Sequence, residues 1–319
     1  MTGDKTILKE NYESMTRWMQ WLATQQETVE AATVPDGSPS GDNVTYHHIG
    51  AGTATGDWLA YDPLDRRYVS VAYYAYVAQL MDSISMALGR TTEAQHYRQL
   101  YKDIRQEFQQ RYVKADGQLS KTTQTAYLLA LRLGLLPEEH RAAARDSLRA
   151  KIEQNGYRLS TGFVDTALLC PVLSDEDMDN LAYALLLQRQ NPSWLYSVDQ
   201  GATTVWERWD SYTLEGGFHK HHWNMNSFNH YAYGVIAEWM YAYVGASVPA
   251  VPASATSSSR PMPIAAPPPF PTVSRRAPAS PGHAQKSAPL TATSPQPGAC
   301  AKTVITTTSS PFPMASPTK

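Results

Sequence analysis

Cysteine is nearly absent from this 319-residue chain, which carries only Cys170 and Cys300. One lies in an apolar run and the other in a stretch rich in Pro, Ser and Ala, so neither a disulfide framework nor a metal-ligand spacing is present. No metal site and no cofactor is expected. Long hydrophobic runs are also lacking. The most apolar stretch, Tyr68 to Leu88, is interrupted by Ser70, Gln79, Asp82 and Ser83. That pattern describes a buried helix, and no membrane partner is expected. These residues contain no signal peptide, but one would precede a start that looks truncated, so the location stays unknown, with the cytoplasm as the default expectation. Acid is missing from one end: from Met240 to the C-terminus there is no Asp or Glu, against six basic residues.

The formal charge of −2 therefore joins two unlike parts. The residues before Met240 hold all 29 acids against 21 Lys and Arg, a net charge of −8. An acidic body excludes nucleic acid as a partner, since phosphate binding needs a basic surface. The basic residues of the other part are scattered and form no patch. Sixteen of the 22 prolines fall between Pro249 and Pro317. A segment of that composition cannot bury enough apolar surface to offset its ordering entropy. We expect a globular body over 1–245 and a disordered tail over 246–319.

The body reads as helices of two kinds. One is amphipathic: Ala94, Tyr97, Leu100, Tyr101, Ile104, Phe108 and Tyr112 recur at helical spacing with charges between them, and Thr92 with Gln95 suggests a capping box. The spans 138–154, closed by Asn155-Gly156, and 175–190 follow the same pattern, as does the opening helix from Thr6 to Gln26. The other kind, at 68–88, 123–135, 162–172 and 228–244, is apolar nearly all round and so must be enclosed. Enclosed and half-exposed helices alternate along the chain through short links. That alternation predicts an all-α double ring, an α/α toroid. Its inner helices run parallel, so their N-termini share one mouth.

Polar–aromatic clusters stand before those inner helices. They are Gly56-Asp57-Trp58-Leu59-Ala60-Tyr61-Asp62-Pro63, Thr122–Thr125, Leu159–Phe163 and Asn226–His230. The densest chemistry lies in Ala202-Thr203-Thr204-Val205-Trp206-Glu207-Arg208-Trp209-Asp210, two carboxylates and an arginine among two indoles. Trp223 to Gly234 adds amides, a histidine and more rings. Carboxylates beside flat aromatic faces suit sugar chemistry, because the C–H face of a pyranose stacks on an indole while an acid or base acts at the anomeric carbon. The bland alternative is ordinary caps and turns, with the tryptophans packing helices and Glu207 paired to Arg208.

The words ILKENYESMTRWMQWL, TGDWLAYDP, VSVAYYAYVAQLM, TQTAYLLALRLGLLPEEHR, LSTGFVDTALLCPVLS, ATTVWERWDS and NSFNHYAYG, in this order, resemble the catalytic domain of bacterial α-L-rhamnosidases, glycoside hydrolase family 78. The resemblance implies an (α/α)6 barrel, represented here by its later helices, and hydrolysis of terminal α-L-rhamnosides with inversion. It assigns Glu207 as the general base on water. Trp58 and His230 match sugar-contacting positions, and Asp57, Arg208 and Trp209 are their substrate-binding neighbours. The implied partner is a rhamnose-containing oligosaccharide or glycoside. The family's general acid sits in a stretch of the form DxRxERLGWTGD, which has no counterpart in these residues, so the chain is expected to be inactive alone. The start resembles the middle of the barrel domain, and the tail stands where the family has a β-sandwich. Competing readings are another inverting glycosidase or a polysaccharide lyase on an α/α toroid, a non-catalytic sugar-binding protein, and a structural helical repeat.

Overall fold

The computed structural model describes residues 4–29, 44–51, 56–218 and 225–245. The expected disordered tail, together with Trp223 and Asn224, lies outside the described residues. Each enclosed helix is followed by an amphipathic partner that packs on it: α2 (Arg66–Ala87) by α3 (Thr91–Tyr112), α4 (Gln124–Arg132) by α5 (Glu138–Gln154), and α6 (Phe163–Asp175) by α7 (Asp179–Leu186). The enclosed helices also touch one another in succession, α2 to α4, α4 to α6, and α6 to α9 (Ile236–Trp239). This is the double layer of an α/α toroid, with α1 (Thr6–Ala23) lying against α2. A short helix, α8 (Trp194–Asp199), lies between α7 and α9 along the chain, and there are two short antiparallel pairs. In one, β1 (Glu27–Val29) sets Glu27 opposite Tyr46 of β2 (Val44–Tyr46); in the other, β3 (Tyr212–Thr213) sets Tyr212 opposite Phe218 of β4 (Gly217–Phe218).

Burial follows the two sequence types. Every residue of α4 from Gln124 to Leu131 is buried, whereas α5 buries only Ala144, Leu148 and Ile152, a stripe four residues apart. Such a stripe covers one face and leaves the other to water. Between the layers, Tyr68 lies edge-on to Phe108 (centroids 5.0 Å apart), and its hydroxyl donates to the Ala126 carbonyl (2.8 Å). Asp65 caps α2 by accepting from the Arg67 amide (2.9 Å), and Thr123 caps α4 by accepting from the Ala126 amide (3.0 Å). Both oxygens satisfy amides that a helix start leaves without an intrahelical acceptor.

Four expectations need correction. The α3 helix begins at Thr91, earlier than a Thr92 cap requires, and Arg90 at its N-cap makes no side-chain cap. The enclosed helix expected at 162–172 continues through Pro171 to Asp175; burying Val172 and Leu173 offsets the hydrogen bond that proline forgoes. The outer helix expected at 175–190 is α7, limited to Asp179–Leu186. The last inner helix, expected over 228–244, is a 3-10 turn at Ala232–Val235, then α9, then a π turn at Met240–Val244. Its end is not enclosed, for Met240, Tyr241 and Val244 are exposed. At this irregular start the Trp194 indole donates to the Tyr233 carbonyl (2.8 Å).

Candidate active site

The polar–aromatic clusters meet, although they are spread over the sequence. The stretch carrying Glu207 runs beside 227–230. The His230 amide donates to the Val205 carbonyl (2.8 Å), the Glu207 amide donates to the Ser227 carbonyl (2.9 Å), and the Ser227 amide donates back to Glu207 Oε2 (2.8 Å). Trp206 meets Phe228 edge-on at 5.3 Å. Glu207 is 7% exposed, and among the described residues its Oε1 accepts no hydrogen bond. It does not pair with Arg208, whose Nε donates instead to the Met225 carbonyl (3.2 Å). A carboxylate held by one oxygen and left with the other is fitted to accept a proton from water.

The Asp57-Trp58 stretch is bolted to the start of α6. Asp57 Oδ2 accepts from the Gly162 amide (2.6 Å) and Thr125 Oγ1 (2.8 Å), and Oδ1 from the amides of Val164 (3.0 Å) and Asp165 (3.3 Å). The Phe163 amide donates to the Trp58 carbonyl (2.9 Å), and the amides of Tyr61 and Asp62 both donate to the Ser160 carbonyl. Only glycine fits at 162, since a Cβ there would lie 2.2 Å from the Trp58 oxygen. Trp58 itself stands 38% exposed. Leu59, next to it, has φ +64°, a left-handed conformation that a bulky side chain rarely adopts.

His230 is linked to this wall by stacking on Phe163, with centroids 4.7 Å apart, and the Ala232 amide donates to its Nδ1 (3.3 Å). In the neutral ring that acceptor role leaves the proton on Nε2. Trp209 stacks on Tyr233 at 3.9 Å and is 3% exposed, while its carbonyl accepts from Ser197 Oγ (2.7 Å). It is part of a packed wall; its neighbour Arg208 is half-buried.

A cavity of about 280 Å³ opens between the two bolted segments, lined by Tyr61, Arg208, Trp209, Asp210 and Tyr233. A second hollow takes His230 with Thr204, Val205 and Tyr231. The structure thus divides the sequence candidates: Arg208 and Trp209 face the first cavity, His230 the second, and Glu207 and Trp58 line neither, with Glu207 in the strip of chain between them. Tyr61, Asp210 and Tyr233 stood within the sequence clusters but were assigned no role there. Burial and the charge of Asp210 push the Tyr61 hydroxyl up to about 12. A further residue was also missed: Asp165 is fully buried with neither carboxylate oxygen hydrogen-bonded. Burial first, and the charge of Asp57 second, hold its pKa well above the ordinary carboxylate range. Burial likewise raises the Asp57 pKa, opposed by its four hydrogen bonds. Among the described residues no group of three or more His, Cys, Asp or Glu could hold a metal ion, and no helix is long and apolar enough to cross a membrane.

An α/α toroid whose inner-helix starts gather carboxylates, indoles and a histidine defines the class of helical-toroid glycosidase domains. Comparison with known proteins narrows this. Residues 1–244 match the model of the bacterial α-L-rhamnosidase six-hairpin glycosidase domain, and the chain belongs to that family. It is 38% identical over 248 residues to an α-L-rhamnosidase of Streptomyces avermitilis and 37% identical over 258 residues to one of Formosa agariphila. These alignments cover 77% and 78% of this chain but 22% and 26% of the relatives, so the chain spans about a quarter of their length. The solved structure of the Streptomyces avermitilis enzyme complexed with L-rhamnose superposes with a TM-score of 0.67 at 38% identity, covering 78% of this chain and 22% of that one. A native α-L-rhamnosidase from Aspergillus terreus gives 0.64 at 30% identity, covering 78% and 28%.

Proposed function

We propose that this chain carries the base half of an inverting α-L-rhamnosidase site, acting on a rhamnose-containing glycoside with Glu207 as the general base. The observation that carries the reading is the setting of Glu207. It is a nearly buried carboxylate in the ATTVWERWD stretch, fixed by the Ser227 amide through one oxygen and, among the described residues, carrying no hydrogen bond on the other. Such a group can orient a water and take its proton as the water attacks the anomeric carbon. Trp58 offers an indole face for the sugar ring, His230 offers Nε2–H as a donor, and Arg208 carries positive charge into the adjoining cavity. The membership of the chain in the rhamnosidase family favours rhamnose over the substrates of other helical toroids.

Inversion needs a second carboxyl to protonate the leaving oxygen from the opposite side. These 319 residues contain no counterpart of the acidic DxRxERLGWTGD stretch. Natural rhamnosides, whose leaving groups need a proton, therefore require that half from elsewhere. The reading is tested by titrating the chain with L-rhamnose and with L-fucose in a calorimeter. Saturable L-rhamnose binding that Trp58→Ala weakens by about 1–3 kcal/mol, the scale of losing an aromatic platform, supports it. Equal affinity for the two sugars, or an affinity indifferent to Trp58, counts against it.

A further inference from the structure

The geometry points to Asp57 as a positioning residue that sets the Trp58 loop, and not as a residue that touches sugar. The inference rests on the rhamnoside reading above for what the loop is positioned to bind. Both carboxylate oxygens are fully engaged within the protein: three backbone amides and one hydroxyl donate to them, at 2.6–3.3 Å, and the residue is 6% exposed. No lone pair remains well placed for a sugar hydroxyl. The donors explain why a carboxylate stands here. A helix leaves its first amides without acceptors, and a side chain at the N-cap commonly satisfies one. The N-cap of α6 is Gly162, which has no side chain.

Asp57 supplies the missing cap from 105 positions earlier in the chain. Its negative charge is favoured at the positive end of the helix dipole. The demand for glycine and the demand for a distant cap have one cause. The Trp58 carbonyl approaches so closely that any Cβ at 162 would collide with it, so the cap cannot come from residue 162 itself. Thr125, at the start of α4, adds a hydroxyl to the same carboxylate, so one side chain ties the loop to two inner helices. The loop in turn holds Leu59 in a left-handed conformation and presents Trp58 outward. The clamp adds to the bonds from the Phe163, Tyr61 and Asp62 amides in maintaining that strained turn.

The test is a double-mutant cycle on the full chain with L-rhamnose as the probe, joined to amide hydrogen exchange. Asp57→Asn keeps the shape but cannot accept from all four donors. We expect it to weaken L-rhamnose binding by at least tenfold in the parent chain and by less than twofold on the Trp58→Ala background, because Asp57 acts only through Trp58. Exchange at the Ala60, Tyr61, Asp62 and Phe163 amides should accelerate by at least tenfold, while that at Ile104 and Leu129 in the core does not change. Should Asp57→Asn fail to fold, Thr125→Val removes one donor alone and should show the same pattern more weakly. Equal fold-losses on both backgrounds would make Asp57 a direct sugar contact and overturn the inference, as would unchanged loop exchange. A parent chain that binds no L-rhamnose would count against the rhamnoside reading alone, and the exchange comparison would then decide the role of Asp57 by itself.

Discussion

Replacing Asp165 by asparagine should stabilise the protein, and by an amount that grows with pH. Asp165 is wholly buried, accepts no hydrogen bond on either oxygen, and has the charge of Asp57 nearby. The folded state therefore holds its proton to higher pH than the unfolded chain does. In the unfolded chain it ionises near its ordinary pKa of about 3.9. A folded pKa raised above the unfolded one favours folding most below the unfolded value, and stability is lost as pH rises toward the folded value. Over that window one proton separates the two states, so stability falls by about 1.4 kcal/mol per pH unit. The substituted amide does not titrate. It would keep the burial cost of an unsatisfied polar group, about 1–3 kcal/mol, and so would resemble the protonated acid. Urea unfolding of the parent and Asp165→Asn at pH 5, 6 and 7 should therefore give free-energy differences that widen with pH, by at most about 1.4 kcal/mol per unit. A difference that stays constant across the three pH values would mean that Asp165 is already ionised in the native state at pH 5, and would refute the reasoning.

Three further outcomes follow from the same geometry. In a protein completed with the family's acid-bearing segment, Glu207→Gln should lower kcat by roughly a thousandfold while L-rhamnose binding survives, as removal of a general base requires; turnover within tenfold of the parent would contradict the assignment. Gly162→Ala puts a methyl against backbone atoms of Asp57, Trp58 and Ala60. It should cost about 1–3 kcal/mol of stability from overpacking and abolish rhamnose binding, which thermal melts and calorimetry would read. The Cys170 thiol is buried, which pushes its pKa up to about 12. With Cys300 changed to Ser, an aromatic disulfide reagent should find no reactive thiol until denaturant is added.

The alternation of helix types was legible in the sequence because burial on every side and burial on one side leave different apolar periods. Gln124–Leu131 against the Ala144-Leu148-Ile152 stripe is the plainest contrast. The meeting of the clusters was legible too, since parallel inner helices bring their starts to one end. Hydrogen bonds from Thr125 and Gly162 to Asp57 are the physical form of that convergence. What periodicity could not convey was how each side chain would be used. The resemblance placed Asp57 as a neighbour of the sugar-contacting Trp58, while the partners of its carboxylate lie 68 and 105 residues away. The resemblance placed Trp209 beside the sugar contacts, and in the structure Tyr233 stacks on it while Trp194 meets it edge-on. Asp165 left one sign, an acid inside the apolar run Phe163-Val164-Asp165-Thr166-Ala167-Leu168-Leu169. The break in the last helix had Gly234, a weak helix former, as its local sign, whereas the Trp194 indole reaching the Tyr233 carbonyl is a tertiary contact.

The central claim, that Glu207 directs water to the anomeric carbon of a rhamnoside, can be tested without the acid half. A 2,4-dinitrophenyl α-L-rhamnoside expels a leaving group that needs no protonation, so a base alone can promote its hydrolysis. Proton NMR of the first product should show β-L-rhamnose appearing before mutarotation, with the rate lost in Glu207→Gln. A first product of α configuration, or a rate unaffected by Glu207→Gln, would contradict the account.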